Sequence, residues 1–315
     1  MSAPPTLRLE SIAQVHSLIG RAPPPHPLVS IIAATWQPPL SIEIPIIGRA
    51  IESGLYVVSL KRGDECHAEF GRQVHDGQSG SVVFVSPGQV ITPIGGQSED
   101  ADDGDGWSVV FHPDLLRDSA LAPLMHRYRF FAYATREALH LDRAERDTLT
   151  RIVRQIDLEA SAAPDPFAGE LLTAQLQLLF THCQRAYARQ FEVRARAGGA
   201  IADRLERHLD AHFATGSPPS GGVPSVSSCA RALGYSPDYL SDLLRAETGE
   251  SAREHIHRAV IEAAKARLLA SSASASEVAY ALGFEHPQHF SRLFKQKTGQ
   301  SPGEWRKRAR AKRAS

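Results

Sequence analysis

Cysteine is scarce in this chain. Cys66, Cys183 and Cys229 are the only three in 315 residues, and no two form a Cys-x-x-Cys pair. An odd, scattered set argues against a disulfide framework or a zinc ribbon and fits a reducing compartment. Long apolar runs are missing as well: nothing approaches the ~18 to 20 residues that span a bilayer. The opening MSAPPTLRLE carries a glutamate and has no long apolar stretch behind it, unlike a secretory leader. The expectation is a cytoplasmic protein with no membrane partner. Net charge is also absent, since 35 Lys and Arg face 35 Asp and Glu. What remains, 42% hydrophobic and 22% charged residues, is the composition of an ordinary globular protein long enough for two domains.

The zero net charge hides a segregation. Residues 1–195 hold 17 basic against 23 acidic residues, and residues 196–315 hold 18 against 12. Residues 285–315 alone carry nine basic and two acidic residues, so the surplus is concentrated at one end. A neutral chain with a basic end suits a sensor joined to a nucleic-acid reader, although a solvated basic tail gives the same count.

Periodicity divides the chain the same way. Leu55 to Leu60, Ser81 to Ser86 and Trp107 to Phe111 are β-branched and aromatic runs. Between and around them, Gly63-Asp64, Asp76-Gly77, Pro87-Gly88 and Gly95-Gly96 supply turns, and the acidic stretch Glu99 to Gly106 reads as an exposed loop. From about 142 the period becomes helical through Leu149, Ile152, Val153 and Ile156, and a second helix is expected over about 167–195. After Gly198-Gly199, an amphipathic helix from Ile201 to Phe213 precedes a Ser-Pro-Gly loop. Short helices then follow with clear starts. Ser251/Glu254, Ser274/Glu277 and Ser301/Glu304 have the spacing at which a serine and a glutamate satisfy two helix-end amides reciprocally. Pro237 and Pro287 suit first helical turns, where a missing N–H costs nothing.

The most specific feature is a duplication. Residues 229–235 (CARALGY) match 278–284 (VAYALGF), and 240–249 (LSDLLRAETG) match 290–299 (FSRLFKQKTG). Each copy, about 226–249 and 275–299, reads as two short helices meeting at a glycine-containing turn, a helix-turn-helix unit. In each second helix the apolar residues fall at i, i+3 and i+4: Leu240, Leu243, Leu244 and Phe290, Leu293, Phe294. The opposite faces are left to Gln288, His289, Ser291, Arg292 and Lys295 in the second copy, and to Asp238, Ser241, Asp242 and Arg245 in the first. Arginine and glutamine suit base edges; serine and lysine suit phosphates. The joining helix, about 252–270, is ~28 Å long at 1.5 Å per residue, loosely matching the ~34 Å between successive major-groove openings on one face of a duplex.

The run Glu277 to Phe284, then Phe290 to Lys295, Thr298-Gly299 and Ser301-Pro-Gly-Glu-Trp-Arg306 resembles the AraC-type bacterial transcription regulators over about 200–310, with Trp305 where tyrosine is usual. That resemblance implies double-stranded DNA as partner, read by the second helix of each unit. Gln288, His289 and Arg292 are then base readers, with Ser241 and Asp242 at the matching sites of the first unit. Ser291, Lys295 and Arg245 are expected on phosphates. Gly80 to Gly88 and the strand-to-helix order resemble the family's cupin-like sensor barrel, which implies a small effector at residues the sequence leaves unknown. It also implies homodimerisation through the helices that follow, and RNA polymerase as a further partner of an activator.

The expected fold is therefore α+β. An N-terminal extension (1–27) precedes a cupin-like barrel (28–120), a helical dimerisation segment (121–197), an all-α reader of two helix-turn-helix units (198–310) and a basic tail (311–315). No enzyme chemistry, cofactor or metal is expected: His67, His75 and His112 lack the spacing of metal-binding cupins, and Leu209 stands between His208 and His212 where a zinc protease has glutamate. The alternative reading is a cupin-type small-molecule binding protein or enzyme with a helical protein-interaction domain. Effector, operator and the sign of control are not disclosed by the residues.

Overall fold

The computed structural model describes residues 6–33, 50–61, 80–91, 106–134, 137–196, 201–214 and 222–314. The chain divides into two compact units, residues 1–190 and 191–315.

The first unit is rich in sheet. Its strands are β1 (Leu7–Leu9), β2 (Val29–Ala33), β3 (Ile51–Ser53), β4 (Tyr56–Lys61), β5 (Ser81–Val85), β6 (Val90–Ile91), β7 (Trp107–Phe111) and β8 (Leu139–His140). They form a three-stranded sheet, β1-β3-β6, and a five-stranded sheet, β2-β7-β4-β5-β8. Among the described residues, every pairing is antiparallel except β1 with β3. Val58 sits at the centre of the larger sheet, opposite Phe84 on one side and Val109 on the other, and all three are buried. Most of the expected turn sequences, with Cys66, His67 and His75, lie outside the described residues. The Nδ1 of His112 accepts from the Asp114 N–H at 3.0 Å and caps a short 3-10 turn.

The stretch expected as an N-terminal extension is part of this unit's core. β1 adds to the smaller sheet beside β3, and helix α1 (Ile12–Leu18) begins at a reciprocal Ser11/Gln14 cap. Ile12 is fully buried against Leu55 and Val110. His16 is buried too; its Nδ1–H donates to the Ala22 carbonyl (2.6 Å), which leaves Nε2 to accept from the Ser30 hydroxyl (2.8 Å). The parallel pairing of residues 7–9 with 51–53 is non-local, and local periodicity carries no trace of it.

Two long helices follow, α2 (Arg143–Ser161) and α3 (Ala168–Arg196). Arg189 on α3 holds both oxygens of Glu145 on α2 at 2.8 Å and also donates to the His140 carbonyl. Gln190 accepts from the His140 N–H, and the Tyr187 hydroxyl donates to Glu137 O. These bonds fasten α3 to the strand edge at β8. Beneath them an aromatic cluster of Phe84, Phe111, Phe130, Phe131, Phe180 and Tyr187 fills the core. Cys183 is fully buried, and desolvation pushes its thiol pKa far up, as expected for a small core residue.

The second unit is helical: α4 (Ile201–Ala214), α5 (Val226–Leu233), α6 (Pro237–Thr248), α7 (Ala252–Ala270), α8 (Ala275–Ala281), α9 (Pro287–Thr298) and α10 (Pro302–Ala314). All three expected serine–glutamate caps form. Helix α7 is central. Its Ile261, Ala264 and Leu268 pack with Val278, Ala279, Leu282, Phe290 and Phe294 of the second copy. Its Ile256 and Val260 are also buried, as are Leu240, Leu244, Cys229 and Ala230 of the first copy. Burying each Phe or Leu contributes ~1.5 to 3 kcal/mol, enough for these contacts to outweigh the weak intrinsic stability of seven- and eight-residue helices.

Candidate nucleic-acid interface

The two helix-turn-helix units are alike in backbone. In each, the second helix starts with proline in the first turn and ends on a left-handed glycine, Gly249 or Gly299. The glycine of the connecting turn also has a positive φ in both copies, 83° at Gly234 and 91° at Gly283. Only the second is pressed against the chain: a Cβ on Gly283 would lie 2.6 Å from the Gly222 carbonyl carbon. Arg267 of α7 reinforces this junction by donating to the carbonyls of Ala281 and Phe213.

In the second copy α9 buries Phe290 and Phe294 and leaves Gln288, His289, Arg292 and Lys295 exposed. Ser291 is half-buried. The side chains of Gln288, Arg292 and Lys295 make no hydrogen bond or ion pair with another described residue, and the His289 ring stands perpendicular to His286 at 5.4 Å. The helix carries Arg292, Lys295 and Lys297 and no acid.

The first copy differs. Ser241, the counterpart of Ser291, is only 8% exposed. Asp242, the counterpart of Arg292, is half-buried and accepts from Arg245 at 2.9 Å. Tyr239 stands where His289 stands in α9, and it is fully buried. Phe191 and Arg194, in the last turns of α3, cover its ring at 5.2 and 5.6 Å, and Tyr235 stacks on it at 5.7 Å. Glu247 accepts from the Ala202 N–H at 3.4 Å, a cap on the start of α4, and burial holds its pKa above the usual carboxylate range. Helix α6 thus carries Asp238, Asp242 and Glu247 against one arginine.

The basic ends of the two second helices meet α7. Hydrogen bonds from Ser251 first, and then the charges of Lys297 near the end of α9 and Arg245 near the end of α6, hold Glu254 in the first turn of α7 below the usual carboxylate range. Burial, then Arg253 and Lys297, hold His257 below the ordinary histidine range. Arg253 and Lys297 are thus two cations close enough to His257 to disfavour its charge, a neighbourhood that sequence reading missed; the i, i+4 spacing of Arg253 and His257 was the available signal. Other arginines turn inward. Arg306 and Arg310 of α10 donate to Ala273 O and Ser271 O, closing the turn that follows α7.

His255, 2% exposed, anchors the start of α7. Its Nδ1 accepts from Arg258 (2.8 Å), so its Nε2–H donates to the Thr248 hydroxyl (2.8 Å), which in turn donates to Leu244 O. Burial, followed by the Arg258 charge, lowers its pKa against the opposing pull of Glu250, Glu206 and Glu254.

Residues 229–308 match the family model described as a helix-turn-helix domain. Among curated proteins, the chain is 29% identical over 129 residues to the uncharacterized HTH-type transcriptional regulator YijO of Escherichia coli, covering 41% of this chain and 43% of that one. It is 39% identical over 83 residues to the transcriptional activator NphR of a Rhodococcus species, covering 26% and 24%. The chain therefore spans less than half the length of these relatives. Among solved structures, the C-terminal domain of the response regulator AraT from Geobacillus stearothermophilus aligns at 28% identity over 34% of this chain and 84% of that one, with a TM-score of 0.30.

Proposed function

We propose that the chain is a sequence-specific DNA-binding transcription regulator of the AraC type, cytoplasmic and non-enzymatic, whose second unit contacts two successive major-groove segments. One observation carries this reading: a duplicated pair of short helices, joined by a 19-residue helix, with a polar, basic edge on α9 opposite its buried phenylalanines. Gln288, His289 and Arg292 are positioned at the exposed start of α9, where side chains reach base edges, with Ser291 and Lys295 beside them for phosphates. Arg245 is the residue of the first unit nearest that phosphate role, and Asp242 holds it at 2.9 Å.

The first unit serves as the sensor, a cupin-like fold for a small effector. Residues 121–197 supply the homodimer surface, and RNA polymerase is a further partner. The dimer surface is supported by Leu158, Phe167, Leu171 and Leu178, large apolar side chains exposed at the end of α2 and along α3. The test of the main reading is fluorescence polarisation of the full chain on a random-sequence 30-base-pair duplex. If about four cations neutralise phosphates, log affinity falls with log salt at a slope near −3.6, roughly a 150-fold loss between 50 and 200 mM. No binding at 50 mM salt would sink the proposal.

A further inference from the structure

We infer that base discrimination is concentrated in the second helix-turn-helix unit, and that α6 lies against the duplex as a nearly sequence-blind spacer, with Asp242 restraining its one arginine. This rests on the DNA-binding reading above.

The two second helices differ in how much of their circumference is left to face a partner. At about 100° per residue, the buried positions of α6 run from Tyr239 through Leu243, Leu240 and Leu244 to Ser241, an arc of about 200°. In α9 the buried positions are Phe290 and Phe294 alone, an arc of about 40°, with Leu293 and Ser291 half-buried on either side. At the Tyr239 edge the extra burial has an identifiable cause: Phe191 and Arg194 cover Tyr239, whereas the equivalent His289 is exposed.

What α6 leaves outside is chemically poor for base reading. Asp242 already accepts from Arg245, and its side chain is 17% exposed against 48% for the arginine. A carboxylate can accept from a cytosine amino group, but here it would have to give up that arginine and approach the phosphates with its own negative charge. Glu247 is committed to the start of α4. On α9, by contrast, glutamine, histidine and arginine sit exposed in the first two turns, and the helix carries three cations and no acid.

The experiment is selection of bound sequences from a random 30-base-pair duplex pool by the full chain, with polarisation titrations at 50 and 200 mM salt. The wild type is expected to specify one contiguous block of about half a helical turn, ~5 base pairs, repeated as identical copies if two chains bind. The Q288A/R292A double variant is expected to erase that block while still binding the unselected pool. D242N is expected to keep the block unchanged. By releasing Arg245 toward a phosphate it should steepen the salt slope by about 0.9, an additional ~3.5-fold gain between 200 and 50 mM.

A second block of different sequence one helical turn away, altered by D242N or R245A, would overturn the inference and leave the regulator reading intact. Weaker binding by D242N would likewise overturn it. Failure of every form to bind the pool at 50 mM overturns both. Helical circular dichroism of each variant distinguishes loss of fold from loss of reading, and Q288A alone provides the milder version of the α9 test.

Discussion

Gly283→Ala tests the tightest packing in the second unit. Two effects add. An L-residue at φ 91° sits in left-handed space at a cost of ~1 to 2 kcal/mol. The new methyl would then lie 2.6 Å from the Gly222 carbonyl carbon and 2.9 Å from its Cα and oxygen, so backbone must move. Overpacking of this kind costs about 1 to 3 kcal/mol. The repeat supplies its own control: Gly234 occupies the same motif position at φ 83°, yet a Cβ there meets no described atom within 4 Å. Gly234→Ala should therefore show the conformational cost alone. Any gain from stiffening the unfolded chain is common to both and cancels. Chemical denaturation followed by circular dichroism is expected to place G283A about 1 to 3 kcal/mol below G234A. For a unit of this size that corresponds to a further fall in Tm of very roughly 3 to 15 °C. Equal midpoints for the two variants, within about 0.5 kcal/mol, would refute the steric reasoning.

Arg292→Ala should relax the preference at one base pair, costing about 1 to 3 kcal/mol on the preferred duplex and little elsewhere; uniform weakening on all sequences would make Arg292 a phosphate contact instead. His212, His255 and His257 all have pKa values lowered by burial first of all. Their contribution to stability is thus fully present above the unfolded value near 6.5 and is lost as pH falls through the lowered folded values. The urea midpoint of the helical unit should fall between pH 7 and pH 5.5, and a rise on acidification would contradict the assignment of a neutral His255. Leu178→Glu, at an exposed position of α3, should halve the mass measured by sedimentation while leaving helix content intact; an unchanged mass would remove α3 from the dimer surface.

Much of the second unit is legible in the sequence because its determinants are local. A serine and a glutamate three residues apart fix a helix start, and the reading of 252–270 coincides with α7. The repeat shows where two helices must meet. The burial of Ser241 was not legible. Spacing alone put it on the open face. Nor was the burial of Tyr239 at the other edge of the arc legible, because its cover comes from Phe191 and Arg194, more than forty residues earlier. Charge counts misled in a related way: Arg306 and Arg310 belong to the basic surplus, yet both bind carbonyls of the turn after α7. In the first unit the main strands announced themselves by β-branched runs. β1 and α1 did not, because a three-residue strand and a seven-residue helix take their stability from partners distant in sequence.

The uneven burial of α6 and α9 also bears on how such a protein changes over generations. Substitutions at Gln288, His289 or Arg292 touch no core, and exposed replacements of this kind ordinarily alter stability by no more than about 0.5 kcal/mol. Target preference can therefore drift through α9 while the scaffold stays intact. In α6 the position matching His289 is Tyr239, which is held by the fold itself, so a mutation there is judged first on whether the chain still folds. One half of the duplication is open to invention, and the other preserves the frame that makes invention safe.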